Sequence, residues 1–207
     1  EGLLAGALIT GALALLLAHL GKHAERTMRI RDALFVVTLG WLSAGVLGAL
    51  PYLLSGAIVN PADALFESVS GFTTTGSTIL TDIEALPRGI HFWRVTTHWL
   101  GGLGIVVIFV ALFPQLGVGA KHLFKSEVPG PITEGLRPKI KQTALALWWI
   151  YVGLTTIETV LLWACGLSVF DALAHAMSNI ATGGFSTRNE SIGAYNSAQV
   201  EYVVCIF

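Results

Sequence analysis

The stretch "SVSGFTTTGSTIL", Ser68 to Leu80, decides how this chain folds, because it is polar where its surroundings are not. Threonine, serine and glycine account for nine of its thirteen residues. On both sides lie hydrophobic segments that are each long enough to cross a membrane. A polar segment between two such hydrophobic segments indicates that its backbone contacts something polar within or near the membrane.

The composition is that of a membrane protein. The chain has 207 residues, of which 54% are apolar and only 12% are charged, whereas soluble domains are about a quarter charged. The net charge of -1 and the scattered basic residues argue against nucleic acid as a partner. Cys165 and Cys205 both lie in apolar segments, so neither a disulfide framework nor a thiolate metal site is indicated.

Four apolar stretches predict an all-α integral membrane protein that contacts membrane lipid. They cover residues 2–20, 33–56, 92–113 and 143–165, and a fifth begins near residue 198. A helix of roughly 20 residues, at about 1.5 Å per residue, covers the roughly 30 Å hydrocarbon layer. We therefore expect a multi-pass protein of the cell (inner) membrane.

The basic residues orient these spans, because they concentrate in cytoplasmic loops. Nine of the twelve lie in two connections, which we therefore expect to be cytoplasmic: Lys22, Arg26, Arg29, Arg31, Lys121, Lys125, Arg137, Lys139 and Lys141. The other two connections, which we assign to the outside, hold only Arg88, Arg94 and Arg188. These outward connections also contain the polar stretches.

An internal repeat links the two polar stretches. "DALFESVSGFTTTGS" (63–77) aligns with "DALAHAMSNIATGGF" (171–185) without a gap, at a constant offset of 108 residues. The identical pairs are Asp63/Asp171, Ala64/Ala172, Leu65/Leu173, Ser70/Ser178, Thr74/Thr182 and Gly76/Gly184. The repeated unit is a helix, a short helix, a polar loop and a further helix.

The short apolar runs at 64–72 and 172–181 predict re-entrant half-helices, with Asp63 or Asp171 capping the N-terminus. Non-helical backbone at membrane depth is tolerated only where it is buried in protein or lines water. We therefore expect "TTTGS" and "ATGGF" to line a water-filled path. Glycine permits positive φ, and rings of carbonyl groups turned toward one axis can replace the hydration shell of a monovalent cation.

Three stretches together resemble a known family: "SVSGFTTTGST", "HFWRVTTHWLGGLGI" (91–105) and "SNIATGGFSTRN" (178–189). They are similar to the Trk/Ktr/HKT superfamily of potassium and sodium transporters, and most closely to the bacterial Trk-type potassium uptake membrane subunit. The resemblance extends from residue 33 to residue 207. Residues 2–20 resemble the extra N-terminal helices of Trk-type members.

The resemblance implies a potassium-channel-like pore built from four repeated units of helix, re-entrant pore helix and helix. Each repeat contributes a filter segment with a key glycine, which Gly76 and Gly184 match. It implies that potassium is coordinated by the backbone carbonyls of Thr73, Thr74, Thr75, Gly76, Ala181, Thr182, Gly183 and Gly184. In the related plant transporters, a glycine at the position of Gly76 is associated with potassium permeation.

The resemblance also implies a domain division. Residues 1–20 form an extra helix, 33–113 a first pore repeat with its pore helix and filter at 63–77, and 114–142 a cytoplasmic loop. Residues 143–207 form a second, incomplete repeat with its pore helix and filter at 171–185. Since a complete pore needs four repeats, we expect the chain to be a fragment of a longer protein, the alternative being that two copies pair.

The partners implied by the resemblance are a second copy, giving a homodimer, and a cytosolic nucleotide-binding regulatory subunit. The segment 121–141 is a candidate docking surface for that subunit. Potassium is the only ion implied, no organic cofactor is expected, and the filter loops face outside.

Three other functions remain as alternatives. The protein could be a sodium-permeable or ion-coupled transporter of the same fold, or a non-conducting membrane scaffold. An intramembrane hydrolase would use Ser70 or Ser77 with His91 or His98, but no G-x-S-x-G motif is present. We therefore do not expect an enzyme.

A few polar or small residues lie apart from these loops. Glu158 is an acid within a span, and either a functional or a packing role fits it. His19 and His23 have helical spacing, but no third metal ligand is apparent. Gly101, Gly102 and Gly104 favour close helix approach over a hinge. Glu67, replaced by His175 in the second repeat, is expected to be a local hydrogen-bond partner.

Overall fold

The computed structural model describes residues 2–23, 30–112 and 136–207, and all regular structure in these ranges is helical. The α-helices are α1 Gly2–Leu20, α2 Ile30–Gly48, α3 Leu50–Ser55, α4 Pro61–Phe72, α5 Arg88–Leu112, α6 Leu136–Ala164, α7 Val169–Ile180 and α8 Ala198–Ile206. Two 3-10 helices cover Gly21–His23 and Ser191–Tyr195. The prediction of an all-α fold is confirmed.

Three helical stretches in these ranges are long and apolar enough to cross a membrane, namely Gly2–Leu20, Phe35–Ser55 and Gln142–Ala164. They coincide with three of the four predicted spans. The fourth predicted span, 92–113, is covered by the 25-residue α5 up to residue 112, and its last residue lies outside the described residues. Large apolar side chains on these helices are exposed, as expected of a surface that faces lipid.

The second span is divided by a proline. Pro51 stands in the first turn of α3, where its missing N–H removes no hydrogen bond, but its ring interrupts the helix before it. The span then ends at Gly56, which has a left-handed φ of 71°. This break brings α3 and the following loop to the start of α4.

Both short helices, α4 and α7, have 12 residues, which at about 1.5 Å per residue is too little to cross a membrane. Asn60 caps α4 by accepting a hydrogen bond from the Ala62 amide, and Ser168 caps α7 by accepting one from the Asp171 amide. The prediction that Asp63 and Asp171 are the caps was wrong. Both lie in the first turn, where their charge complements the helix dipole.

Removing the cap of α7 should destabilise the protein. Because Ser168 Oγ satisfies the amide of Asp171 at 3.1 Å, Ser168→Ala should lower the free energy of unfolding by about 1 kcal/mol. Ser197, the N-cap of α8, makes no capping bond with its side chain, so Ser197→Ala is the matched control. The thermal unfolding midpoint of the detergent-solubilised protein measures both, and an equal decrease in the two variants would contradict the assignment.

Helix α5 is central to the packing, because it contacts α4, α6 and α7. Val95 of α5 belongs to a buried cluster with Ala174, Met177 and Phe185 of the second repeat. The equivalent residues Ala64 and Ala172 are each fully buried, in two separate clusters. The two short helices are thus held against the same helix, and the loops that follow them lie close together.

Candidate functional site

The polar loops after α4 and α7 have the same backbone conformation. Thr74 and Thr182 both have a φ of 55°, and two residues later Gly76 and Gly184 have φ values of 75° and 92°. A positive φ is rare for any residue with a side chain and rarer still for a β-branched one. Such strain persists where the surroundings impose it, and it clusters at functional sites.

The same two backbone hydrogen bonds also end both short helices. They are Thr74 N to Gly71 O at 3.0 Å and Thr75 N to Ser70 O at 2.9 Å, matched by Thr182 N to Asn179 O at 2.7 Å and Gly183 N to Ser178 O at 2.9 Å. The donors and the acceptors of each matched pair differ by 108 residues. The sequence repeat is therefore a structural repeat at the level of individual peptide groups.

The two loops lie against each other. A Cβ atom at Gly76 would overlap the carbonyl oxygen of Gly183, so only glycine fits at this point of contact. The sequence-predicted residues differ in exposure: Thr73, Thr75, Thr182 and Gly184 are exposed, Thr74 and Gly76 are intermediate, and Ala181 and Gly183 are buried. The structure thus brings Gly76 of the first predicted ligand set against Gly183 of the second and leaves part of each loop accessible.

Hydroxyl groups hold the first loop in its shape. Thr73 Oγ1 donates to the Val69 carbonyl at 2.7 Å and lies 2.8 Å from Thr75 Oγ1. Ser70 Oγ donates to the Ser77 carbonyl at 2.5 Å, across the loop. These hydroxyls all bond within α4 and its own loop, so they stabilise the shape of that loop.

The serine and histidine pairs of the hydrolase alternative are not formed. The Ser70 hydroxyl is used by the Ser77 carbonyl, and His98 Nδ1 lies 3.1 Å from the hydroxyl of a different serine, Ser178. Both His98 and Ser178 are buried. A buried pair of this kind has a packing role, because a substrate cannot reach it.

Arg94 corrects the sequence prediction. The charge pattern assigns it to an outward connection, although the predicted span 92–113 also contains it; it lies within α5, and its side chain is only 1% exposed. Its Nε donates to Glu67 Oε1 at 2.8 Å, and its Nη1 donates to the Ser186 carbonyl at 3.2 Å. The guanidinium carbon also lies 4.1 Å from the centre of the Phe185 ring. Arg94 therefore contacts the short helix of one repeat and the loop of the other.

Glu67 holds the chain that leaves the first loop. Its carboxylate accepts hydrogen bonds from Thr78 Oγ1 at 2.9 Å and from the Ile79 amide at 3.2 Å, in addition to Arg94. The expectation of a hydrogen-bonding role for Glu67 agrees with these contacts.

In the second repeat, the acid that bonds the chain after the loop is Asp171, which does not occupy the position of Glu67. Asp171 Oδ1 accepts from Thr187 Oγ1 at 2.6 Å. His175, at the position of Glu67, has its Nε2 3.2 Å from the Tyr195 hydroxyl. Burial alone would raise the pKa of the Asp171 carboxyl, but hydrogen bonds from Thr187 and Ser168 and the nearby Arg188 guanidinium outweigh it and hold that pKa below its ordinary value.

The segments beyond the loops are also joined to each other. Arg188 Nη1 lies 3.3 Å from Glu84 Oε2. Asn189 donates to Asp82 Oδ1 at 3.0 Å and accepts from the Ile83 amide at 2.7 Å. These bonds fasten the segment that follows the first loop to the segment that follows the second.

Helix α5 lies close behind both loops through its glycines. A Cβ atom at Gly101 would overlap the carbonyl oxygen of Phe72, the last residue of α4. One at Gly102 would lie 3.1 Å from the Cα of Ala181, directly after α7. Close helix approach at these glycines is what the structure shows.

Glu158 has packing contacts. It is fully buried in α6, and its Oε1 accepts from Asn179 Nδ2 at 2.7 Å, while that amide also donates to the Val204 carbonyl at 3.1 Å. Asn179 of α7 thus joins α6, through Glu158, to α8, through Val204. Within the described part of the chain, no three His, Cys, Asp or Glu side chains are grouped as a metal would require. The predicted docking segment 121–141 lies outside the described residues up to residue 135.

Comparison with known proteins gives a consistent result. A sequence model of the TrkH family, described as a cation transport protein, matches residues 3–207. The Trk system potassium uptake protein TrkH of Halomonas elongata is 46% identical over 188 residues, which are 90% of this chain and 39% of that protein. The protein of the same name from Escherichia coli (strain K12) is 43% identical over 182 residues, 87% of this chain and 38% of that protein.

A solved structure is similar over nearly the whole chain. The crystal structure of the potassium transporter TrkH from Vibrio parahaemolyticus matches with a TM-score of 0.77 and 32% identity, covering 99% of this chain and 47% of that one. The chain spans about two fifths of the length of the curated relatives that it matches.

Proposed function

Because this chain belongs to the TrkH family of cation transport proteins, we propose that it is part of a membrane protein that takes potassium ions into the cell. The observation that carries this proposal is the repeated backbone of the two loops, with positive φ at Thr74 and Gly76 and again at Thr182 and Gly184. The relatives are named as potassium uptake proteins, which supports transport over the hydrolase alternative.

The alternation of backbone conformation supports an ion-binding role. Thr73 and Ala181 have negative φ values of -84° and -77°, and the residue after each has a φ of 55°. Successive peptide groups of an extended chain face opposite sides, and alternate positive φ values turn them toward the same side. Carbonyl oxygens aligned in this way can replace the water around a potassium ion.

The potassium ligands that we propose are the backbone carbonyls of Thr73, Thr74, Thr75, Gly76, Ala181, Thr182, Gly183 and Gly184. Two such segments supply half of a four-fold ring, and the remaining segments would come from further repeats of a longer protein. Potassium would enter from the outer face, lose its water against these carbonyls and move down its electrochemical gradient. The process needs no covalent chemistry.

The proposal includes the surroundings of the pore. The protein would lie in the cell (inner) membrane with both loops facing outside, since the basic connections fit the cytoplasmic side. Residues 33–113 would form the first pore repeat and 143–207 part of the second. A second copy and a cytosolic nucleotide-binding subunit are the partners that we propose.

Uptake by cells tests the function directly. The full-length gene that encodes this chain should restore growth of an uptake-deficient bacterial strain at limiting external potassium and raise its rate of potassium uptake. An empty vector is the control, and sodium uptake is measured in parallel. Equal uptake of sodium and potassium would favour the sodium-permeable alternative, and no change in either would favour the scaffold.

A further inference from the structure

Arg94 is a buried positive charge directly behind loops for which we propose a cation path. Its side chain is 1% exposed and that of its partner Glu67 is 0% exposed. Taking two charges out of water costs several kcal/mol per ion, and an apolar pair of similar volume is often as stable. Stability by itself is therefore a weak reason for a buried ion pair at this point.

The geometry of the guanidinium gives a stronger reason, because it joins parts of both repeats. On one side it bonds Glu67 of α4 at 2.8 Å and lies 3.4 Å from Thr78 Oγ1, two residues after Gly76. On the other side it donates to the Ser186 carbonyl at 3.2 Å, two residues after Gly184. These are the same distances along the chain from the two key glycines.

The Phe185 ring extends this contact to the second loop. Phe185 directly follows Gly184, and its ring lies 4.1 Å from the guanidinium carbon of Arg94 and 4.0 Å from the centre of the His98 ring. A Cβ atom at Gly183 would overlap the His98 imidazole. Arg94 and His98, one helical turn apart on α5, thus support the second loop from behind.

The second repeat has no equivalent carboxylate at this position. His175 takes the place of Glu67 there, and its ring bonds Tyr195 of its own repeat. Arg94 of the first repeat therefore bonds both repeats by itself, in addition to the bonds that Arg188 and Asn189 make to residues 82–84.

We propose that Arg94 is a positioning residue for ion selection, which fixes the spacing of the two loops by bonding Glu67 of the first repeat and the Ser186 carbonyl of the second. This inference rests on the proposed potassium path. Selection between potassium and sodium depends on how the carbonyl ligands are arranged. A side chain that sets the distance between two carbonyl-bearing loops therefore sets part of that selection without touching the ion.

Arg94→Lys is the most informative variant. Lysine keeps the charge beside Glu67, but its compact ammonium lacks the planar fork that bonds several oxygens at once. We expect near-normal amounts of protein in the membrane and a fall of about tenfold in the preference for potassium over sodium, as the loss of a charge-assisted hydrogen bond predicts. The measurements are potassium and sodium uptake per unit of protein, each resolved into KM and maximal rate.

A double variant separates positioning from folding. Arg94→Gln alone leaves the Glu67 charge buried without a positive partner and should reduce the amount of protein. Glu67→Gln combined with Arg94→Gln removes both charges, so the amount should recover while the potassium preference stays low. Arg88 is an exposed residue at the start of the same helix, so Arg88→Gln is the matched control and should leave both quantities unchanged.

Two results would overturn the inference. One is an Arg94→Lys protein with the parent's potassium preference, and the other is a double variant in which recovery of protein amount also restores that preference. Either would assign Arg94 to folding alone. A parent protein that moves neither ion would instead overturn the proposed function, and with it the premise of this inference.

Discussion

Gly76→Ala is expected to abolish most of the protein's potassium uptake at limiting external potassium. At a φ of 75° any side chain adds strain of about 1–2 kcal/mol. The larger effect is steric, because the new Cβ would overlap the carbonyl oxygen of Gly183. That oxygen is a proposed potassium ligand, so the substitution would displace the neighbouring loop as well as its own.

Gly76→Ser adds a hydroxyl to the same clash, and we expect its remaining uptake to discriminate less between potassium and sodium. Gly56→Ala is the matched control, since Gly56 has a φ of 71° but no atom within 4 Å of the added Cβ. The Gly56→Ala variant therefore shows the effect of positive-φ strain alone, without the overlap between the two loops. Uptake of both ions per unit of membrane protein gives the result. Equal uptake by the two alanine variants would contradict the role of the Gly183 contact.

The sequence predicted the helices and the repeat well, because both leave local signals. Spans are visible as long apolar stretches, and the 108-residue offset aligns Thr74 with Thr182 and Gly76 with Gly184. Their matched φ values follow from that alignment. The identity of the ion ligands stays a prediction, which the uptake experiments test.

The helix caps were mispredicted because each helix start offers two polar residues. "NPAD" and "SVFD" each contain a residue that can cap and an Asp in the first turn. The cap must have an extended backbone, and Asn60 and Ser168 have ψ values of 122° and 151°. Spacing alone does not show which residue is extended.

The role of Arg94 could not be predicted because its partners are distant in the chain. Glu67 is 27 residues away and Ser186 is 92 residues away. Charge rules place an arginine near a helix end in a loop, whereas the structure pairs it inside the protein. An acid in the predicted short helix, Glu67, was the available signal, since a buried carboxylate needs a positive or hydrogen-bonding partner.

Gly101→Ala is expected to reduce both the amount of folded protein and its uptake. The added Cβ would overlap the carbonyl oxygen of Phe72 and lie 2.8 Å from its carbonyl carbon. These are backbone atoms at the end of α4, and they cannot turn away as a flexible side chain can. Overpacking of a tight contact costs about 1–3 kcal/mol, and more where the neighbour cannot move.

The same substitution should also disturb ion selection in the protein that does fold, because Thr73, the first proposed ligand, directly follows Phe72. Gly104→Ala, one turn further along α5, is the matched control, since its Cβ would meet only the Trp41 ring at 3.4 Å, an ordinary contact. The thermal unfolding midpoint in detergent and potassium uptake per unit of protein should both fall for Gly101→Ala and change little for Gly104→Ala. If both variants kept the parent's values, α5 would not be the support that fixes the end of α4.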